Sequence, residues 1–454
     1  MTKKCHFIGI GGIGMSGLAR MLLENQSVVT GSDLRSNSLI EELQTKGAKV
    51  NIGHDPKFVT PESTIVYSTG ITKDNPEYRA AVEMNCPMLH RSDLLKALIG
   101  DSQLLGVSGT HGKTTTSSLL AHVLIESQMD PSYSVGGVML QRGLNAGKGE
   151  GKYFVAELDE SDGSFTKFFP HGAIITSIGS DHIDHYGSKD QLIGSFKQFV
   201  DQVDNEDHLF WCGDNMYLKA MSPKGASFGF CESCDLRAVN YEQNGWSLSY
   251  DIHFRDKVYP NVTLPLIGAH NALNSLAVFG LSLSIGIDEG VIRKAFDSFE
   301  GVKRRCEKKG EECGVMVIDD YAHHPTEISF TLNAIRQAVE ERRIFVVFQP
   351  HRYSRTRDCL GEFGGVFDEA DEVIITDIYG AGESPIPGIS HEDIIEENEQ
   401  ISDVPFRHMT EDEIIPNLLN ELRPHDVVVT FGAGNITNFS KQLVDVLKKK
   451  GSLL

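Results

Sequence analysis

The sharpest chemistry in this 454-residue chain lies in GVSGTHGKTTT, residues 106–116. Gly109 and Gly112 free the backbone to wrap phosphate oxygens, Lys113 adds a fixed cation, and the Thr114 hydroxyl can ligate Mg²⁺. Val107 stands where the strict phosphate-loop template has its first glycine, but the loop still sits between an apolar strand and a strong helix. The residues 109–115, with Thr110, His111 and Thr115 beside the four just named, form the candidate ATP loop. A magnesium–nucleotide site also needs carboxylates. FVAELDESDGSF places Glu157, Asp159, Glu160 and Asp162 at and just beyond a strand end, with Glu157 the first choice for the metal. SDHIDHYG offers Asp181, His182, Asp184 and His185 after another strand.

A second glycine loop opens the chain. FIGIGGIGMSG carries G-x-G-x-x-G at positions 9, 11 and 14, and Asp33 follows about 20 residues later, where an acid would meet an NAD ribose. The loop predicts a bound diphosphate, since an amide-lined helix N-terminus favours an anion. It does not by itself predict a nicotinamide. A hydride-transfer enzyme has no use for Lys113, Thr114 and their carboxylates, so a simple NAD(P)-dependent oxidoreductase is the weaker reading.

The third group is basic. Lys303, Arg304 and Arg305 stand at a boundary, His323 and His324 follow VIDDYA, and His351, Arg352, Arg355 and Arg357 follow VVFQP. Arginines beyond a strand end can clamp phosphate or carboxylate and stabilise charge on a transferring phosphoryl group.

These residues need elements to hold them at strand ends. Residues 1–98 alternate strand and helix signals, from a strand at 4–10 through a helix at 15–25 to a strand ending at Asp33. A second unit, 99–300, opens on the Lys113 loop and includes hairpin-like material near 237–267 and helices around 270–285 and 288–298. A third, 301–454, restarts the pattern with VMVIDD, RIFVVF, EVIITD and DVVVTF. The fold expected is α/β in three domains: a Rossmann-like N-terminal domain, a P-loop central ATPase domain and a Rossmann-like C-terminal domain.

Composition narrows the partners. With 42 Lys plus Arg against 63 Asp plus Glu, the formal charge is -21, which disfavours nucleic acid and anionic membrane. No run of 18 apolar residues occurs, and the eight cysteines, with Cys231 and Cys234 as the one C-x-x-C, read as reduced thiols of a cytoplasmic protein.

In order along the chain, HFIGIGGIGMSGLA, SGTHGKTTT, ELDESDGSF, GAHNALNSLA, FEGVKRR, DDYAHHPTE, QPHRYSRT and DIYGAGESPIPG resemble the Mur ligases of peptidoglycan synthesis, and several resemble their alanine-adding branch. The resemblance implies an ATP-dependent amide ligase that joins L-alanine to the lactyl carboxylate of UDP-N-acetylmuramate through an acyl phosphate. It implies that Gly11, Gly12, Gly14, Met15 and Ser16 face the UDP-sugar diphosphate. Lys113 would meet the ATP phosphates. Thr114, Glu157 and His182 would surround two Mg²⁺ ions, and His270, Asn271 and Asn274 would lie near the adenine. Arg304 and Asp320 would approach the nucleotide, and Tyr321, His323, Arg352 and Arg355 the amino acid. A ligase that attaches a recovered peptide instead of alanine is the alternative within the fold, and a P-loop switch acting on a protein partner is one outside it. The chain departs from the family pattern at Ser177 and Gly179, where Asn and Glu are usual, and at Leu158, where alanine is usual. The first two departures bear on the second Mg²⁺ position.

Overall fold

The computed structural model describes residues 4–179 and 183–451, so Asp181 and His182 lie outside the described residues, as does the Asp184 side chain. Among the described residues the strands fall into three sheets.

In the first sheet five strands lie in the order Lys49–Ile52, Val28–Asp33, Lys4–Ile8, Thr64–Tyr67, Met88–His90, all parallel. This is the strand order of a Rossmann-like half, with the order reversing beside Lys4–Ile8. The glycine loop leaves that strand and opens the helix Ile13–Glu24. Cys5, Phe7, Leu18, Leu22 and Val29 share a core beneath it.

The second sheet has ten strands, and its centre carries the Lys113 loop. Gln103–Ser108 runs parallel between Gly172–Ile175 and Tyr153–Glu157, then turns into the helix Lys113–Glu126. The strand is buried on both faces, as a parallel central strand should be, so only its C-terminal end is free to present polar groups. The hairpin material expected near 237–267 forms the strands Leu236–Asn244, Ser247–Phe254 and Lys257–Leu264, followed by the helices Ala269–Ser284 and Glu289–Asp297.

In the third sheet the order is Glu307–Glu312, Val315–Asp320, Val427–Phe431, Ile344–Phe348, Glu372–Ile375, Phe406–His408. The first pair is antiparallel and the rest are parallel. Two of these strands, Glu307–Glu312 and Phe406–His408, carry no apolar run, so neither is visible in the hydrophobic pattern.

Residue contacts divide the chain into two compact units. The first holds 1–240, Tyr250–Leu264 and Ala272–Glu300; the second holds Tyr241–Ser249, Pro265–Asn271 and 301–454. The first two sheets' domains therefore pack as one body. The Asn145 amide donates to the Ile13 carbonyl at 2.6 Å, and Gly17 of the first helix packs against Ala146. No helix among the described residues is long and apolar enough to cross a membrane, and no disulfide joins any of the eight cysteines.

Candidate functional site

Two features fold the Lys113 loop. Gly109 takes φ +133° and Gly112 takes φ +83°, a region that costs a residue with a Cβ. Space forbids side chains there too, because a Cβ on Gly109 would collide with Thr176 and Ser177, and one on Gly112 with Asn274. The loop is then tied to the neighbouring strand end. Thr110 N–H donates to the Ser177 carbonyl at 3.0 Å, His111 N–H to Ser177 Oγ at 3.1 Å, and Gly179 N–H to Thr110 Oγ1 at 2.7 Å.

The same packing bears on Gly179 and Leu158. A Cβ on Gly179 would approach Thr110 Cγ2 to 2.9 Å, so a longer residue there would have to displace the loop threonine. Leu158, buried, covers Gly106, which leaves it the room a larger side chain needs.

Lys113 lies at the helix start, with its ammonium on Glu160 at 2.8 and 3.0 Å and on the carbonyls of Gly109 and Thr110 at 2.6 and 3.1 Å. Burial works against the ammonium, but Glu160, Asp159 and Glu157 outweigh it and raise its pKa. Burial also pushes the Glu160 carboxyl up to about 7, against the pull of Lys113. Lysine therefore stays charged, and Glu160 is the member of the pair that takes up a proton.

Glu157 faces the other side of the helix start. It accepts from Thr114 Oγ1 at 3.2 Å, from Ser117 Oγ at 3.3 Å and from Gly136 N–H at 2.8 Å. A magnesium ion with oxygens about 2.0–2.1 Å away places adjacent ligands about 2.9 Å apart, so the Thr114–Glu157 pair fits a shared ion. The acidic stretch thus divides its labour. Asp159 receives Arg91 at 2.9 Å, and Asp162 accepts from Thr69 Oγ1 at 2.7 Å and lies 3.5 Å from Arg91. The Asp162 carboxyl is held down at about 2: burial opposes this, while Ser164, Thr69 and Arg91 prevail.

Arg91 joins the N-terminal glycine loop to the acidic stretch. A Cβ on Gly14 would lie 3.6 Å from its guanidinium, which places the N-terminal glycine loop beside Asp159 and Asp162. Within that loop Gly11 N–H donates to Asp33 at 2.8 Å, so Asp33 serves the loop's own backbone. Met15 is buried in the core, and Ser16 turns its hydroxyl to the Ile13 carbonyl and its N–H to the Gly12 carbonyl. Of the three residues grouped near an adenine, Asn274 lies against Gly112, whereas His270 and Asn271 are counted with the second compact unit. There His270 is half-buried, desolvation pushes its pKa down to about 4, and its ring stacks near Phe330.

The second unit gathers the basic residues at the C-terminal ends of its strands. Arg304 and Arg305 hold their guanidinium groups 4.8 and 5.2 Å from the centre of the Tyr321 ring. Arg304 also donates to the Gly434 carbonyl at 3.2 Å and lies 3.7 Å from buried Asp319. Burial raises the Asp320 carboxyl to about 6, and it accepts from Ala322 N–H at 2.6 Å. His323 Nδ1 lies 2.9 Å from the Tyr321 carbonyl, so Nδ1 carries the proton and Nε2 is the acceptor. Burial pushes its pKa to about 4, and that of His351 to about 3. Both rings are neutral near pH 7. Arg355 donates to His351, whose ring stacks on Tyr379 at 5.7 Å.

Arg304 and Arg352 have φ of 59° and 69°, conformations that cost a non-glycine residue energy and that cluster at functional sites. Arg352 is held there by its N–H on the Tyr379 carbonyl at 2.8 Å.

The sequence reading missed Arg91, Asp319 and the pairing of Lys113 with Glu160. A string of four acids offers no sign of which member turns toward which cation.

Comparison with known proteins agrees along the whole length. The description "Mur ligase family, catalytic domain" matches residues 4–103, "Mur ligase middle domain" 107–282, and "Mur ligase, glutamate ligase domain" 304–434. The chain is 50% identical over 449 residues to a UDP-N-acetylmuramate–L-alanine ligase of Protochlamydia amoebophila, covering 99% of each. It is 43% identical to the bifunctional enzyme MurC/Ddl of Chlamydia caviae, of which it spans 55%. Among solved structures it is similar to the UDP-N-acetylmuramate–alanine ligase MurC of Thermotoga maritima, with a TM-score of 0.85, 28% identity, and 98% and 99% of the two chains covered. The chain belongs to the Mur ligase family.

Proposed function

We propose that this chain joins L-alanine to the lactyl carboxylate of UDP-N-acetylmuramate, converting ATP to ADP and phosphate, as an early step of peptidoglycan precursor synthesis in the cytoplasm. The observation that carries the reading is that one acidic stretch serves two glycine loops in one compact unit: its Glu160 holds Lys113 of the lysine-bearing phosphate loop, and its Asp159 and Asp162 hold Arg91 beside the lysine-free N-terminal loop. A site that handles two phosphorylated ligands suits a ligase better than a dehydrogenase.

In this reading a lactyl carboxylate oxygen attacks the γ-phosphorus of ATP and ADP leaves. The alanine amine then attacks the acyl carbon, phosphate leaves, and the amine's surplus proton passes to solvent. Positioning and charge stabilisation supply most of the rate in such a transfer. Lys113, with the 109–115 loop, would hold the β- and γ-phosphates, exchanging its bond to Glu160 for theirs. Thr114 and Glu157 would hold Mg²⁺, and His182 is assigned to a second ion on the resemblance alone; the metal supplies charge neutralisation on the phosphates. Gly11, Gly12, Gly14, Met15 and Ser16 would line the UDP-sugar diphosphate at the helix N-terminus, whose positive end favours the anion.

His270, Asn271 and Asn274 would flank the adenine. Arg304 and Asp320 would bear on the nucleotide. Tyr321, Arg352 and Arg355 would receive the amino acid, the arginines taking its carboxylate. With a pKa of about 4, His323 makes a weak base, so its Nε2 would orient the amine by accepting a hydrogen bond rather than store its proton.

The test is phosphate release from ATP with each substrate omitted in turn. Release requires all three, and release without the UDP-sugar would overturn the reading. A tripeptide accepted in preference to L-alanine would move the chain to the peptide-attaching alternative.

A further inference from the structure

The third sheet carries a cluster that the ligase reaction does not use. Asp377 follows the strand Glu372–Ile375, His408 ends the neighbouring strand Phe406–His408, and His391 opens the helix His391–Glu399. The fold fixes all three backbones. The parallel register sets Ile375 beside His408. The helix start is fixed by a capping box in which Ser390 N–H donates to Asp393 at 2.7 Å. Arg407 pairs with Glu421 at 2.8 Å; strand alternation turns it to the opposite face from His408.

The side chains converge. The two imidazole rings lie face to face, 3.8 Å between centroids and 8° between planes, with nitrogens directed at one carboxylate oxygen. His408 Nε2 is 2.9 Å from Asp377 Oδ1, and His391 Nδ1 is 3.6 Å from the same atom. One ligand atom from each residue falls within 4.8 Å of the other two. An ion that holds nitrogens at about 2.0–2.1 Å and a carboxylate oxygen at about 2.0–2.2 Å sets neighbouring ligand atoms about 3.3 Å apart. The separations of 2.9 and 3.6 Å, with all three atoms within 4.8 Å, bracket that spacing, and rotation of the stacked imidazole rings brings both in-plane lone pairs onto one ion.

We propose that Asp377, His391 and His408 form a binding site for a divalent transition-metal ion of the zinc class, separate from the magnesium of the nucleotide site. Two imidazoles and one carboxylate select zinc, nickel or copper over magnesium, which prefers an all-oxygen shell. Ligation uses neutral imidazole, the form the side chain takes when it gives up its proton to the ion. Glu392 and Asp393 add negative charge beside His391. Asp377 keeps an exposed face, which leaves an entry path and room for water to complete the shell.

The site is coupled by short chain to the basic cluster. Two residues beyond Asp377, Tyr379 stacks on His351 and its carbonyl holds Arg352 in its costly conformation. An ion on Asp377 would stiffen the segment that positions Arg352.

Zinc titration of the full-length protein by calorimetry, in millimolar Mg²⁺, tests the proposal. The unaltered chain is expected to bind one equivalent with micromolar affinity. The double variant His391→Asn/His408→Asn is expected to lose that equivalent, a weakening of at least about tenfold, and Asp377→Asn to weaken it less. Thermal melts without metal establish that the variants fold, and zinc should raise the melting temperature of the unaltered chain more than that of the double variant. Zinc taken by the exposed thiols of Cys231 and Cys313 would appear equally in all proteins. Equal zinc equivalents in the unaltered chain and the folded variants, or displacement of the ion by Mg²⁺, overturns the site; an unfolded double variant leaves Asp377→Asn to decide by the same count.

Discussion

The loop after Lys4–Ile8 and the loop after Gln103–Ser108 share one build, a buried parallel strand turning through glycines into a helix N-terminus. They differ in what answers the helix's positive end. In the first loop a carboxylate, Asp33, sits on the Gly11 amide, and the cation nearby, Arg91, comes from a different element. In the second, the cation is Lys113, the helix's own first residue, and its carboxylate, Glu160, is buried beneath it. A cradle of amides can hold a diphosphate whose charge never changes. A fixed ammonium in a buried setting can follow charge that moves, because it needs no reorganisation when the transfer occurs.

That contrast can be broken by substitution. The largest effect is expected for Lys113→Ala. Turnover should fall by about 10³-fold or more while UDP-sugar affinity, measured by calorimetry, stays unchanged. Equal loss of both would erase the distinction between the loops. Glu157→Gln should come next, raising the Mg²⁺ concentration needed for half-maximal rate by about 10–100-fold. An unchanged magnesium requirement would remove Glu157 from the metal.

Asp33→Ala leaves the Gly11 amide without its charged partner. UDP-sugar affinity should weaken about tenfold, within the range of a lost charge-assisted hydrogen bond, with the KM for ATP unmoved. A change in the ATP constant instead would mean that the loops act as one. The smallest effect concerns pH. In the folded chain Glu160 keeps its proton up to about 7, whereas unfolded it would lose it near 4.5. The folded state therefore binds more protons between those values. Its contribution to stability is full below pH 4.5 and is lost as pH rises through 7. Glu160→Gln should flatten that decline by about 1 kcal/mol per pH unit, read from urea midpoints at pH 5, 6 and 7. Parallel slopes in the two proteins would assign the decline elsewhere.

Much of this was legible in advance. The strand–loop–helix units followed from apolar runs ending in glycine, and the Lys113 loop announced its chemistry because few other roles need that residue string. Glu160 was legible only as one acid among four. In ELDESD consecutive side chains leave the strand end in different directions, and the turn that sends Glu157 to Thr114, Glu160 to Lys113 and Asp159 to Arg91 is set by contacts with distant segments. His391 and His408 are 17 positions apart with nothing in the spacing to pair them; parallel strand register and a helix cap bring them together.

The sequence by itself determined the α/β repeats, the two glycine loops and the placing of charged residues at strand ends, because periodicity and local backbone chemistry act over a few residues. Only the tertiary structure decided which carboxylate meets which cation, that Arg91 ties the N-terminal loop to the acidic stretch, and that Asp33 serves Gly11. Those choices depend on burial and on partners tens of residues away, where a charge persists only if the fold supplies its counter-charge.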